Sequence, residues 1–153
     1  MATNVVYGVA SMVLKLVKMF KKEYPSLAIV ACMDSPTCCS SRKKEQTTYK
    51  TNRPSAPDQL KHQFAWVREL FSAMDIHTCE LPGYEADDII ASYCSKCSSL
   101  FDHIIIVSPD KDMYQLITPK IIMYNPRKKA FEGVQHVRST FGFDPHWFPL
   151  FQA

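Results

Sequence analysis

Gly83-Tyr84-Glu85-Ala86-Asp87-Asp88-Ile89-Ile90 and Ile104-Ile105-Ile106-Val107-Ser108-Pro109-Asp110-Lys111-Asp112-Met113-Tyr114-Gln115-Leu116 bound the stretch that decides the fold. Glu85, Asp87 and Asp88 fall at an expected helix start; Asp110 and Asp112 fall just past an expected strand end. Between them lie an apolar helical pattern (Ala86, Ile89, Ile90, Tyr93, Cys94, Cys97) and an isoleucine-rich run suited to a buried strand. A fold that joins helix start to strand end pools these carboxylates, and such a pool repels itself unless a cation sits in it. Hard divalent ions that prefer oxygen ligands, Mg²⁺ or Mn²⁺, are the candidates. Acids in a first helical turn also complement the helix dipole, at about 0.3–1 kcal/mol each. That explains one or two acids well, and three with a second pair beyond a strand poorly.

Outward from this stretch, strands and helices alternate. Val9 to Lys22 predicts an amphipathic helix packed on the core, Leu27 to Met33 a buried strand, and Leu60 to Met74 a second helix started by Pro57 and Asp58. Ile76 to Leu81 predicts a short strand closed by Pro82-Gly83, and Glu85 to Cys97 a third helix. His103 to Val107 and Ile121 to Tyr124 predict strands, Asn125 to Lys129 a basic turn, and the aromatic segment Phe141 to Gln152 a helix starting near Pro145. The expected architecture is α/β, a mostly parallel central sheet flanked by helices, in a single domain over residues 1–153. Asp34 directly follows the first strand, where a carboxylate of an open α/β sheet points into the ligand crevice; a plain turn Asp before Ser35-Pro36 is the other reading.

The 153 residues carry a net charge of +3, which by itself implies no partner. Its distribution says more. Arg42, Lys43, Lys44, Lys50, Arg53 and Lys61 face only Glu45 and Asp58 in their segment, whereas Asp75 to Asp112 is strongly acidic. A basic segment beside an acidic pocket suits a metal-dependent enzyme acting on a polyanion. Six cysteines without a secretory signal predict reduced thiols and an intracellular setting; the basic amphipathic N-terminal segment leaves a mitochondrial presequence open. Cys94-x-x-Cys97 lacks a second ligand pair for zinc, so buried free cysteine is expected. No apolar run approaches the ~20 residues that cross a bilayer.

These residues resemble the 5′→3′ exonuclease and flap endonuclease superfamily, with its PIN-like, Rossmann-like core. Gly83-Tyr84-Glu85-Ala86-Asp87-Asp88 is similar to the family's Glu-Ala-Asp-Asp motif, and Asp110-Lys111-Asp112 with Gln115-Leu116 to its Asp-x-Asp motif. Asp34 stands where the family has an Asp after a strand, and Tyr49-Lys50-Thr51-Asn52-Arg53 is similar to the motif of the helical arch, here about residues 37–57. The resemblance implies that Asp34, Glu85, Asp87, Asp88, Asp110 and Asp112 hold Mg²⁺ or Mn²⁺ in a two-ion scheme. It implies that Lys50 and Arg53 are catalytic, with Lys50 reaching the scissile phosphate and Arg53 and Arg42 gripping flanking phosphates, that Tyr49 stacks on a base, and that Lys43, Lys44, Asn52 and Lys111 join them in binding DNA. The partner implied is DNA with a 5′ single-stranded end or flap, met by a monomer in replication and repair, with no membrane. An Asp-bearing first strand and a C-terminal Gly-Asp-x-x-Asp segment with a helix–turn–helix clamp are absent from these 153 residues. The second ion site is therefore expected to be incomplete and the activity of the isolated chain weak or absent. A non-catalytic DNA- or RNA-binding homologue stays open.

Overall fold

The computed structural model describes residues 4–35 and 58–152. The chain divides into two compact units, Met1–Glu85 and Ala86–Ala153.

The first unit is built from α1 (Asn4–Glu23), β1 (Val30–Cys32), α2 (Asp58–Ala73) and β2 (His77–Cys79). β1 and β2 pair in parallel, with Val30 opposite His77 and Cys32 opposite Cys79. Val67, Phe71 and Ile76 form the core, and Val5, Val6, Val9 and Val13 of α1 pack against it. This is the core-packed helix expected from the spacing, begun earlier than Val9. Gly8 lowers helix propensity by about 1 kcal/mol and hides the first turn in the sequence. Two tertiary contacts restore it: Val5 and Val6 are drawn into the core, and Gln63 Oε1 accepts from the Val5 backbone N–H at 3.0 Å. That N–H is one of the donors a helix start leaves without an intrahelical partner. The strands are shorter than expected because each ladder ends where its partner does; both have three residues.

The second unit runs α3 (Ala86–Cys97), β3 (Ile104–Val107), a 3₁₀ turn (Lys111–Leu116), β4 (Ile121–Asn125), β5 (Ala130–Glu132), α4 (Val134–Phe141), a second 3₁₀ turn (Pro145–Trp147) and α5 (Phe148–Gln152). β3 pairs β4 in parallel and β4 pairs β5 antiparallel. The core holds Cys94, Ile106, Met113, Tyr114, Ile117, Ile121, Met123, Val137 and Phe148. Aromatic rings close it edge to face: Tyr114 and Phe148 lie 5.4 Å apart, Phe141 and Phe148 5.3 Å apart. Pro145 opens the C-terminal helical segment as expected.

The α/β class and the parallel pairing agree with the sequence. Among the described residues the strands pair in two ladders, of two and three strands. β5 and α4 were not anticipated. β5 has three residues, and its side chains invert the usual pattern, with Phe131 exposed and Glu132 buried. α4 is bounded by glycines at both ends, Gly142 at φ 81° closing it with a bond from its N–H to Arg138 O at 2.9 Å. Among the described residues no helix is long and apolar enough to cross a membrane.

Candidate functional site

The acidic motif at the start of α3 is set by the turn before it. Leu81-Pro82-Gly83-Tyr84 turns with Gly83 at φ 86° and the Tyr84 N–H bonded to Leu81 O at 3.1 Å. Pro at the second position and a glycine with positive φ at the third are the requirements of a type II turn. α3 begins at Ala86, so Glu85 precedes the helix instead of opening it, and it is only 5% exposed. Asp87 is exposed in the first turn and Asp88 half-buried beside it.

The second acidic motif leaves the carboxyl end of β3. Ser108 Oγ accepts from the Asp110 N–H at 3.1 Å, and Asp110 Oδ1 accepts from the Asp112 N–H at 3.0 Å. Asp110 is therefore the N-cap of the 3₁₀ turn that carries Asp112. Gln115 Nε2 donates to Asp112 O at 2.9 Å and tightens the same turn. Asp110, Lys111 and Asp112 are all exposed. The Gln of the trailing Gln-Leu pair thus braces the backbone of the carboxylate motif, and its Leu116 packs against the core.

Asp34, exposed, follows β1 in the first unit. Arg42, Lys43, Lys44, Tyr49, Lys50, Asn52 and Arg53, with the arch they were expected to form, lie outside the described residues. The carboxylates of the second unit are oxygen donors of the kind a hard divalent ion takes. They are not drawn into a finished cage: among the described residues no three His, Cys, Asp or Glu side chains stand together closely enough to hold an ion. Capping fixes the backbone of the Asp110–Asp112 turn, but it does not gather carboxylates, whose like charges repel one another. Cys94 is a buried free thiol, pushed up to about 11 by burial and then by Cys97.

One polar cluster escaped the sequence. Glu132 is 0% exposed, yet its carboxylate accepts from the Tyr114 hydroxyl at 2.9 Å and from Lys128 Nζ at 2.8 Å. Burial alone would push this carboxyl up; the bonds from Lys128 and Tyr114 and the charge of Lys128 outweigh it and hold the carboxyl below its usual range. Tyr114 is pushed up to about 12, by burial and then by Glu132. Lys128 is delivered by the Asn125 turn, whose Oδ1 accepts from the Arg127 and Lys128 N–H groups at 3.1 and 3.2 Å. The spacing Lys128, Glu132, His136 would read as a helix face, which hides a turn, a strand and a helix start.

A depressed folded carboxyl contributes stability above the unfolded glutamate's pKa of about 4.3 and loses it as pH falls through the lower folded value. Urea midpoints of the wild-type chain should therefore drop as pH is lowered from about 5 through the acid range. In Glu132→Gln this part of the acid dependence should vanish. Parallel profiles for the two proteins would contradict the assignment.

The comparison with known sequences decides the family. The family described as 5′-3′ exonuclease, N-terminal resolvase-like domain, matches residues 1–142. The chain belongs to this 5′-3′ exonuclease family. It is 36% identical over 151 residues to a 5′-3′ exonuclease of Aquifex aeolicus, covering 99% of this chain and 50% of the relative. It is 34% identical over 147 residues to DNA polymerase I of Bacillus subtilis, covering 94% of this chain and 16% of the polymerase. The chain thus spans half or less of the length of these relatives. Among solved structures, the T5 5′-exonuclease with bound zinc superposes at a TM-score of 0.70 and 20% identity, over 91% of this chain and 55% of that one. A bacteriophage T5 flap endonuclease in a pseudo-enzyme-product complex with DNA and metal ions superposes at 0.65 and 19% identity, over 91% and 55%. At these identities the structures establish the fold of the exonuclease-family chain.

Proposed function

We propose that this chain is the nuclease core of a metal-dependent 5′→3′ exonuclease and 5′-flap endonuclease that hydrolyses DNA phosphodiesters in replication and repair. The observation that carries the reading is the Asp110–Asp112 turn: two exposed carboxylates, one residue apart, capped onto the carboxyl end of β3 in a chain of the exonuclease family. The T5 relatives crystallised with zinc or with DNA and metal ions support a divalent ion and a DNA substrate here. We assign Asp87, Asp88, Asp110 and Asp112, with Asp34 and Glu85, as residues that hold Mg²⁺ or Mn²⁺. A bound divalent ion supplies positive charge that lowers the pKa of a water and offsets charge on the leaving oxygen. Lys111, exposed between two of these acids, is a cation of the kind that pairs with a DNA phosphate. Lys50 is assigned to the scissile phosphate and Arg53 and Arg42 to the flanking phosphates, with Lys43, Lys44, Tyr49 and Asn52 along a single-stranded 5′ end, by resemblance alone. Phosphate and stacking contacts of this kind select shape and not sequence.

A second reading, DNA binding without cleavage by a homologue of the same fold, rests on the lack of any three converging ligands among the described residues. One experiment separates the two. The purified chain is incubated with a 5′-labelled flap duplex in Mn²⁺, in Mg²⁺ and in EDTA. Weak cleavage near the flap junction, present with metal and lost in EDTA, is expected. Flap binding with no cleavage in either metal would replace the nuclease reading by the second one, and cleavage that survives EDTA would sink both.

A further inference from the structure

We propose that Tyr114 and Glu132 are a positioning pair for the Asp110–Asp112 turn, so that a buried carboxylate on β5 sets how the exposed carboxylates are presented. This rests on the nuclease reading above for what the turn does, and on the structure for how it is held. The turn is a 3₁₀ helix of six residues, Lys111–Leu116. Runs of that geometry beyond three or four residues are uncommon because their hydrogen bonds are poor. External anchors must therefore hold it. At its start the anchor is local, the Asp110 cap on Asp112. At its centre Met113 and Tyr114 are each 2% exposed, and Tyr114 sits two residues beyond Asp112.

Packing locates Tyr114; its hydroxyl fixes it. The ring meets Phe141 at 5.7 Å and Phe148 at 5.4 Å, both edge to face. The hydroxyl donates to Glu132 Oε2 at 2.9 Å, a charge-assisted bond of narrow geometry. Glu132 cannot follow a moving tyrosine. It is opposite Met123 in the β4–β5 register, and its Oε1 is taken by Lys128 at 2.8 Å. His136 Nε2, 3.6 Å from the same Oε1 and without a hydrogen-bond partner, closes the other side. Tyr114 therefore ties the backbone two residues from Asp112 to the antiparallel strand at the other side of β4.

The test uses the full 153-residue chain, with Tyr114→Phe, which keeps the ring, and Ile121→Val, a control in the same core at the far end of the β3–β4 ladder. In metal-free protein, amide exchange at Met113 and Ile117, whose N–H groups bond to Asp110 O and Tyr114 O, should quicken about tenfold in Tyr114→Phe, as for one lost charge-assisted hydrogen bond. Mn²⁺ affinity, read from free Mn²⁺ by electron paramagnetic resonance, should weaken about tenfold in Tyr114→Phe, the scale of lost outer-shell support, and stay within about twofold in Ile121→Val. Unchanged exchange in Tyr114→Phe, or equal Mn²⁺ losses in both variants, would overturn the pairing. Wild-type chain that binds no Mn²⁺ would instead overturn the metal reading of the turn, while the exchange result still judges the anchor.

Discussion

Asp110→Asn is expected to lower metal-dependent flap cleavage by about a thousandfold while leaving thermal stability nearly unchanged. The two halves of this result have separate causes. Asn caps a helix about as well as Asp, and its side-chain oxygen can still accept from the Asp112 N–H. The 3₁₀ turn should therefore persist. What disappears is a formal negative charge. A carboxylate that holds a divalent ion supports several kcal/mol of transition-state charge stabilisation. At about 1.4 kcal/mol per factor of ten, losing about 4 kcal/mol is about a thousandfold in rate. Asp110→Ala separates the terms further, since it removes the cap as well and should lower stability by about 1 kcal/mol. Cleavage rates on a labelled 5′ flap in Mn²⁺, with melting curves of each variant, check both halves. Cleavage by the Asp110→Asn variant within about tenfold of wild type would remove Asp110 from the metal residues.

The largest loss of stability should come from Phe148→Ala. Phe148 is 1% exposed, and its ring lies against Tyr114, Phe141, Phe143 and Phe151. Truncating such a ring removes its transfer free energy and leaves a cavity that rigid neighbours fill only in part, about 3–5 kcal/mol in all. For a chain of this length that is a melting shift on the order of 10 °C. The adjacent Trp147, 51% exposed, provides the contrast: Trp147→Ala should change stability by less than about 0.5 kcal/mol. Urea unfolding followed through methyl signals of Ile106, Ile117 and Ile121 reports on the second unit directly. A loss under about 1 kcal/mol for Phe148→Ala would mean that the aromatic segment is a surface layer and not core.

The two acidic motifs were legible because each combines a period with a boundary. The apolar spacing of Ala86, Ile89, Ile90 and Cys94 identifies a helix face, and the type II turn at Pro82-Gly83 marks where it starts. The isoleucine run of β3 and the cap geometry of Asp110 are likewise local chemistry. The basic segment around Tyr49 to Arg53, read as composition and as resemblance, lies outside the described residues. Other elements were not legible, for particular reasons. α1 reaches back beyond Val9 because Gln63, far along the chain, satisfies the Val5 N–H. β5 exists because β4 offers a free edge to Ala130–Glu132, three residues with no strand signal of their own. The extent of β1 is set by what β2 can pair.

Local order in the sequence determined that this chain is α/β, that acids follow a strand and open a helix, and that its motifs are those of the 5′-3′ exonuclease family. Hydrophobic period, turn residues and caps act over a few neighbouring positions, so a linear reading captures them. Only the tertiary structure decided that Glu132 is buried behind the Asp110–Asp112 turn and held there by Lys128 and Tyr114. A charge at a core position is tolerated only when its partners are in place, and those partners come from a turn and a 3₁₀ segment that meet only in the folded chain.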